Sequence, residues 1–448
     1  TLGCRLNQAE SALIADDLQR HGFELVSWGE PVELAVINSC LVTAAAGQKT
    51  RQTLRAACRG NPEAFVVLVG CSAELEADKW QGGEGIDLVV PNQAKTRLSA
   101  FLPTHLKRNP STVFASAREA RDDMLFTEDG CGFYPDRTRA NLKIQEGCDF
   151  FCSYCIVPYA RGKPRSREWQ DVLREARELL ARGHKEIVLT GVNIACYQDH
   201  GRGLADLLRE LAALDGDYRI RLSSTEPCPE LARVIDVIRD SDRVCRFLHV
   251  PMQYGEDRML RAMNRRYTVS EYVEFVERAA AEIPGICLGS DIIVGFPGET
   301  EAQFERTRAA MEEFQYDMAY VAMYSPRPGA TSSRWQDDVP HEEKRRRLHV
   351  LSEELQKSAG ARNAARVGHR LPVLVSGRDR KPGYLTGMTE GRINVRFPWP
   401  DDEPIGKIAT VDITGHASLS LSGERADLTE ADRSRRTGSP NSTAGYRR

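Results

Sequence analysis

No apolar run in the 448-residue chain approaches the length needed to cross a bilayer, so no membrane-spanning helix and no membrane partner are expected. The opening residues, TLGCRLNQAES, lack the basic and apolar regions of a secretory signal. The charge is nearly balanced, with 61 Lys and Arg against 64 Asp and Glu for a net of −3. That excludes a globally basic nucleic-acid binder, and any RNA contact must come from local patches. The 12 cysteines do not form the dense framework of a small secreted domain. They point to metal binding plus a few buried thiols in a cytoplasmic protein. An initiator Met is also missing, and Thr1 to Gly3 read as the end of a strand running into Cys4. The expectation is a start that lacks the preceding strand, which leaves Cys4 weakly held.

What is present is more telling. Cys148, Cys152 and Cys155 stand in the run EGCDFFCSYC, a C-x3-C-x2-C spacing. A tight loop of this kind can offer three thiolates to three irons of a cubane cluster and leave the fourth iron open to a substrate. A zinc knuckle would need a fourth ligand nearby, and the next histidine is His184. Buried structural thiols would not need two short gaps in a loop led by Gly147. The loop resembles that of the radical S-adenosylmethionine enzymes. There the open iron chelates the methionyl amine and carboxylate, and an electron cleaves the sulfonium to a 5′-deoxyadenosyl radical.

The length predicts roughly two to four domains. Residues 1–102 alternate apolar strands with helical stretches, as in an open parallel α/β sheet. ELAVINSC and AFVVLVGC end in Cys40 and Cys71, and ESALIADDLQRHG is an amphipathic helix stopped by Gly22. Cys4, Cys40 and Cys71 thus fall at strand ends, where ligands gather in open parallel sheets. They are candidates to converge on a second cluster; the alternative is three ordinary buried thiols. Residues 103–135 are polar and irregular, read as a linker in which Cys131 is incidental.

From 136 to 366 the alternation resumes with the candidate strands NLKIQEG, EIVLTGVN, RIRLSST, RFLHVPMQ, CLGSDIIVG and YVAMYS, then a long helix. That predicts a partial (β/α)6 barrel resembling a TIM barrel, with chemistry at the carboxyl ends of its strands. Residues 367–424 read as a five-stranded all-β barrel of the oligonucleotide-binding kind, and 425–448 as a disordered tail.

This three-part order resembles the radical S-adenosylmethionine methylthiotransferases, which carry an N-terminal methylthiotransferase domain, a radical barrel and a C-terminal TRAM domain. The resemblance covers about residues 1–423 and rests on many blocks in order, among them TLGCRLNQAES, VINSCLVTAAAGQKTRQ, VGCSAE, KIQEGCDFFCSYCIVPYARGKPRSR, LTGVNIACY, LHVPMQYGEDRMLRAMNRRY, DIIVGFPGETEAQFE and YSPRPGA. The first two blocks look most like the subgroup acting on N6-threonylcarbamoyladenosine in tRNA. QYG stands where the family commonly has Gln-Ser-Gly, so Tyr254 either narrows the pocket or faces away.

The resemblance implies two 4Fe–4S clusters, on Cys148, Cys152 and Cys155 and on Cys4, Cys40 and Cys71. It also implies S-adenosylmethionine as radical source and methyl donor, a reducing electron donor, and tRNA as partner, with the sulfur source unknown. No side-chain acid or base can remove an unactivated C–H hydrogen, so a cofactor radical must. Tyr154, Asn193, Ser223, Glu226 and Gln253 are candidate cofactor contacts, with shielding or structural capping as the alternative for each. Arg161, Arg165 and Arg167, at the cavity mouth, and Arg378, Arg380 and Lys381, in the C-terminal barrel, are candidate RNA contacts; a solvated charged face is the alternative. Phe397 could stack on bases or sit in the core. Competing readings are the same chemistry on isopentenyladenosine or on an aspartate of a small-subunit ribosomal protein, and a non-catalytic iron–sulfur RNA-binding protein.

Overall fold

The computed structural model describes residues 1–80, 85–108, 112–114, 124–135, 138–399 and 403–426. The expected disordered tail lies, beyond Ala426, outside the described residues. Strands β1 (Leu34–Ser39), β2 (Phe65–Gly70), β3 (Leu88–Val90) and β4 (Val113–Phe114) form a parallel sheet in that order. The β-branched run FVVLVG of β2 is buried along its whole length, as a strand covered on both faces requires. Helices α1 (Arg5–Arg20), α2 (Ala44–Gly60) and α3 (Cys71–Leu75) connect the strands or flank them. Thr43 caps α2 by accepting from the Ala46 amide at 3.0 Å.

Two expectations change here. Residues before Cys4 are not a strand: only the Leu2 amide reaches β1, donating to the Asn38 carbonyl at 3.0 Å. Gly3 then turns the chain at φ +90° directly into α1. The described portion of 103–135 is also more than a linker. It supplies β4, and Leu125–Phe126 pairs in parallel with Arg165–Arg167. Cys131 is 1% exposed in the core of the central barrel, and Glu175 holds the Gly132 amide at 2.8 Å. Its backbone bonds, invisible in composition, tie it down.

All the candidate barrel strands form: Arg139–Lys143, Glu186–Thr190, Arg219–Leu222, Phe247–His249, Cys287–Val294 and Met318–Met323. They make two three-stranded parallel sheets, joined by bridges Ile220–Val244 and Ser224–His249. Ala140, Leu142, Ile187, Leu189, Ile220 and Leu222 point outward into the helix-packed core. The alternating residues Arg139, Asn141, Lys143, Glu186, Val188, Arg219 and Arg221 therefore face the lumen. Helix Trp169–Ala181 buries Trp169, Val172, Leu173, Ala176 and Leu179, one stripe at helical spacing.

Helix His341–Ala364 leads to a closed five-stranded barrel. Phe397 is fully buried in its core and stacks on no RNA. The turn at Met388–Glu390 closes the bottom of the central barrel. Arg219 donates to the Met388 carbonyl at 2.9 Å, and Arg221 to those of Thr389 at 3.1 Å and Glu390 at 2.6 Å. Phe247, Cys245 and Cys287 pack into the same apolar cluster as the C-terminal barrel, so the two barrels share a core.

Candidate metal centres and active site

The loop of Cys148, Cys152 and Cys155 begins at Gly147, φ +72°, where any Cβ would collide with the Lys163 carbonyl oxygen. The Cys155 amide donates back to the Cys152 carbonyl at 2.9 Å, which closes the turn. Each sulfur accepts a hydrogen bond: Cys148 from the Phe150 amide at 3.5 Å, Cys155 from the Val157 amide at 3.4 Å, and Cys152 from Arg265 Nη1 at 3.3 Å. Such bonds stabilise thiolates and tune an attached cluster. Burial pushes the Cys148 thiol up to about 11 and the Cys155 thiol up to about 12, and the neighbouring sulfurs add to both. Three crowded thiolates in this pocket need cationic partners. Among the described residues no three His, Cys, Asp or Glu side chains are grouped to hold a single metal ion. A cubane cluster has a different requirement, one thiolate for each of several separate irons.

The second trio sits at the carboxyl edge of the N-terminal sheet. Cys40 follows β1 and Cys71 opens α3, both buried, while exposed Cys4 precedes α1. A Cβ at Gly3 would fall 2.5 Å from Cys40 Sγ, so only glycine lets this segment approach so closely. Burial raises the Cys40 thiol to about 11, with Cys71 and Cys4 contributing, so the three sulfurs lie within electrostatic reach. Arg327, from the loop after Met318–Met323, also feels Cys40. If each trio holds a 4Fe–4S cluster, Cys40→Ala should lower iron content by about half. Unchanged iron would remove Cys40 from the ligand set.

The run of cations after the loop is corrected by the structure. Arg161 ends the short helix α4 (Val157–Arg161), which packs beside α3. It is 5% exposed and bonds Glu10 through Nη1 at 2.8 Å and Nη2 at 2.9 Å, and Asn7 at 2.6 Å. Arg167 is fully buried against Asp171 and Glu175, and Arg165 pairs with Glu146. Acids hold all three: Glu10 reaches Arg161 from α1, far away in the chain, Glu146 reaches Arg165 across a strand pair, and Asp171 and Glu175 reach Arg167 from the first turns of the helix that follows it. Arg161 and Arg167 offer no guanidinium to an RNA phosphate, and Arg165, its side chain 16% exposed, is engaged by Glu146. Fully buried Glu10 also receives Lys95 at 2.6 Å and Lys143 at 3.3 Å. Burial opposes its ionisation, yet Arg161, Lys95 and Lys143 hold the carboxyl well below the usual range.

The proposed cofactor contacts lie at the carboxyl ends of the barrel strands. Asn193 is 4% exposed with neither side-chain polar atom partnered among the described residues, and Ser223 Oγ and Thr190 Oγ1 are likewise orphaned. Buried groups without partners fit a polar ligand such as S-adenosylmethionine. Glu226 pairs with Arg265, which reaches Tyr154 Oη at 3.4 Å and so joins Tyr154 to Cys152. Burial raises the Glu226 carboxyl, against the pull of Arg265. Gln253 is buried at φ +61°, its amide bonded to the Asp291 carbonyl at 2.8 Å. Tyr254 is fully buried against the Glu299 and Thr307 side and narrows no pocket. In GFPGE, Glu299 accepts from the Phe296 amide at 2.9 Å and pairs with Arg347 at 3.4 Å, a structural brace. Arg265 and Thr190 were missed in the sequence. Arg265 lies in the MNRRY block, whose doubled arginine carries no local hint of a partner on another strand.

Arg378, Arg380 and Lys381 are exposed at the first hairpin of the C-terminal barrel. The Lys381 ammonium lies 3.9 Å from the Tyr384 ring centre.

Parallel strands, a three-cysteine loop at their carboxyl edge and orphaned polar groups beside it define a radical S-adenosylmethionine enzyme. Residues 142–311 match the Radical SAM superfamily, and residues 1–91 match the group described as Uncharacterized protein family UPF0004. The chain is 34% identical over 420 residues to the Threonylcarbamoyladenosine tRNA methylthiotransferase MtaB of Bacillus subtilis, covering 92% of each chain. It is also 34% identical over 442 residues to a tRNA-2-methylthio-N(6)-dimethylallyladenosine synthase of Oceanobacillus iheyensis, covering 96% of this chain and 84% of that one. Among solved structures, the radical S-adenosylmethionine methyltransferase TsrM of Kitasatospora setae shares the fold at TM-score 0.53 and 17% identity, over 73% of this chain and 72% of that one. The chain belongs to the radical S-adenosylmethionine methylthiotransferases. S-adenosylmethionine and 4Fe–4S clusters are accordingly its cofactors. Among the described residues no helix is long and apolar enough to cross a membrane.

Proposed function

We propose that this enzyme inserts a methylthio group at carbon 2 of N6-threonylcarbamoyladenosine next to the tRNA anticodon. The observation that carries this reading is the identity to the B. subtilis threonylcarbamoyladenosine enzyme across 92% of both chains. In this proposal Cys148, Cys152 and Cys155 hold one 4Fe–4S cluster and Cys4, Cys40 and Cys71 a second. Bound S-adenosylmethionine supplies the hydrogen-abstracting radical and the methyl group, and the second centre supplies or carries sulfur. The protein's part is positional. Asn193, Ser223 and Gln253 orient the cofactor's polar groups, Arg265 fixes Glu226 and Tyr154 against it, and α4 sets the spacing of the two cysteine sites.

The test is mass spectrometry of tRNA nucleosides from cells with and without the gene. Loss of the methylthio group from threonylcarbamoyladenosine is expected. Loss from isopentenyladenosine instead would move the substrate, in line with the equally similar O. iheyensis relative. No change in any nucleoside would turn attention to a ribosomal-protein aspartate or to a non-catalytic role.

RNA is proposed to meet the exposed hairpin of Arg378, Arg380 and Lys381. Replacing Arg380 and Lys381 together by alanine should weaken tRNA binding. The slope of log affinity against log salt should fall by about 0.7 for each phosphate no longer neutralised. Fluorescence anisotropy across a salt series reads this, and an unchanged slope would clear the hairpin of that role.

A further inference from the structure

A second polar space lies in the barrel lumen, away from the cluster loop. It is a cavity of about 210 Å³ lined by Arg5, Gln8, Arg139, Asn141, Val188 and Arg221. Arg5 and Gln8 come from the first turns of α1, which closes the open side of the partial barrel; the others are lumen-facing strand residues. Complete small-molecule pockets span roughly 300–1,000 Å³, so this space suits one substituent of a larger ligand.

Its charge is one-sided. Arg139, Arg219 and Arg221 share a single carboxylate, Glu186, at 3.9, 2.6 and 2.9 Å. Glu390 lies close enough to Arg221 to act on it, but the bond made is through the Glu390 carbonyl. Arg392 donates to Tyr320 Oη at 2.8 Å and has no carboxylate partner among the described residues. The Arg5 guanidinium has no carboxylate partner among them either. Arg219 Nη1 is buried without a partner among the described residues. Arg392 and Arg221 lie near enough to Arg5 for their charges to act on it. Clustered guanidiniums short of counter-charge are what a carboxylate satisfies, two parallel N–H donors to two oxygens.

We propose that this chamber is the specificity pocket of the enzyme, in which Arg5 and Arg221 of its lining, with the charge of Arg392 close by outside it, receive the free carboxylate of the threonylcarbamoyl substituent. The inference rests on the threonylcarbamoyladenosine reading and deepens it. An isopentenyl group in the same place would strand these charges against hydrocarbon and leave the desolvated guanidiniums uncompensated. A backbone phosphate has the same anionic chemistry, so the test must separate the two sources.

The experiment uses reconstituted holoenzyme and anticodon stem-loops carrying threonylcarbamoyladenosine, its carboxamide analogue or isopentenyladenosine. Affinity is read by anisotropy and methylthiolation by KM and kcat. The native enzyme should prefer the carboxylate over the carboxamide by at least about tenfold, mainly in affinity and KM. Arg5→Gln and Arg392→Gln should each reduce that preference towards unity while leaving the carboxamide's affinity unchanged, and Arg5→Lys should keep part of it. Arg392→Gln lies far from every cysteine in sequence, so iron content should stay constant in that variant. Equal handling of acid and amide by the native enzyme, as a phosphate site would give, overturns the proposal and leaves the threonylcarbamoyladenosine reading intact. So does an acid preference that survives both glutamine variants. A native enzyme that modifies isopentenyladenosine and ignores threonylcarbamoyladenosine overturns both, and is seen before any variant is made.

Discussion

Replacing Cys152 by alanine should abolish formation of 5′-deoxyadenosine from S-adenosylmethionine and a reductant. Cys152 is the most buried sulfur of its loop, 9% exposed, and the one bonded by Arg265. Its loss removes a proposed cluster ligand and the acceptor on which the Arg265, Glu226 and Tyr154 assembly is built. Anaerobic reconstitution followed by product quantification measures the effect, and the expected signal is none above the reductant blank. Two controls separate chemistry from folding. Cys131→Ala empties a site that is more deeply buried and lies outside the loop, and should retain product formation. Cys196→Ala is sharper, because Cys148 acts directly on the Cys196 thiol. If Cys196→Ala loses the product and Cys152→Ala keeps it, the ligand set is misassigned.

The second large effect is expected at Glu10, through stability. Its carboxylate, fully buried, is the anion shared by Lys95 of the N-terminal domain, Lys143 of the central barrel and Arg161 of α4. Glu10→Gln keeps the shape but takes this carboxylate from Arg161 and Lys95, while Lys143 keeps Glu128 at 2.8 Å and Glu146 at 2.6 Å. Breaking a buried ion pair from one side costs about 3–5 kcal/mol. Denaturant unfolding and limited proteolysis should show the loss where the N-terminal sheet meets the barrel. The pH dependence follows from the sign of the shift. The native carboxyl titrates well below its ordinary 4.5, so the stabilisation is complete above that pH. It is lost only as pH falls through the lower folded value. The gap between native protein and Glu10→Gln should therefore be flat from neutral pH down to about 4.5 and close only in stronger acid. A gap that closes between pH 8 and 6 would show that a different group carries the effect.

Much of this architecture could be read in the sequence. β-Branched runs and strand–helix alternation located every barrel strand, because period-two burial leaves a local trace. The strand expected before Cys4 is absent, but the positions of Cys148, Cys152 and Cys155 on one loop and of Cys40 and Cys71 at strand ends were legible for a similar reason, because spacing and strand ends are one-dimensional properties. The arginines were not. Arg161 looks like part of a solvated stripe until Glu10 arrives from α1, and pairing across such a distance has no local signature; Arg167, by contrast, is met by Asp171 and Glu175, four and eight residues on in the next helix. RIRLSST reads in the sequence only as a strand, and its strand period, Glu186 and Arg5 all had to be placed by the fold before a chamber existed. The described portion of 103–135 reads as linker in the sequence because a segment held by backbone hydrogen bonds needs no hydrophobic period.

The turn at Met388–Glu390 gives the C-terminal barrel a second meaning. Its carbonyls hold Arg219 and Arg221, and its core is continuous with the bottom of the central barrel. A module fastened this way is a ruler and not a tether: RNA gripped on it, as proposed, would stand at a set distance from the strand ends. It is also a stopper. Deleting residues beyond 366 would admit water to the lumen from below, beside the arginines. Such a truncated enzyme should waste its radical as well as lose its grip on tRNA, and poor coupling, not only weak affinity, would be its signature.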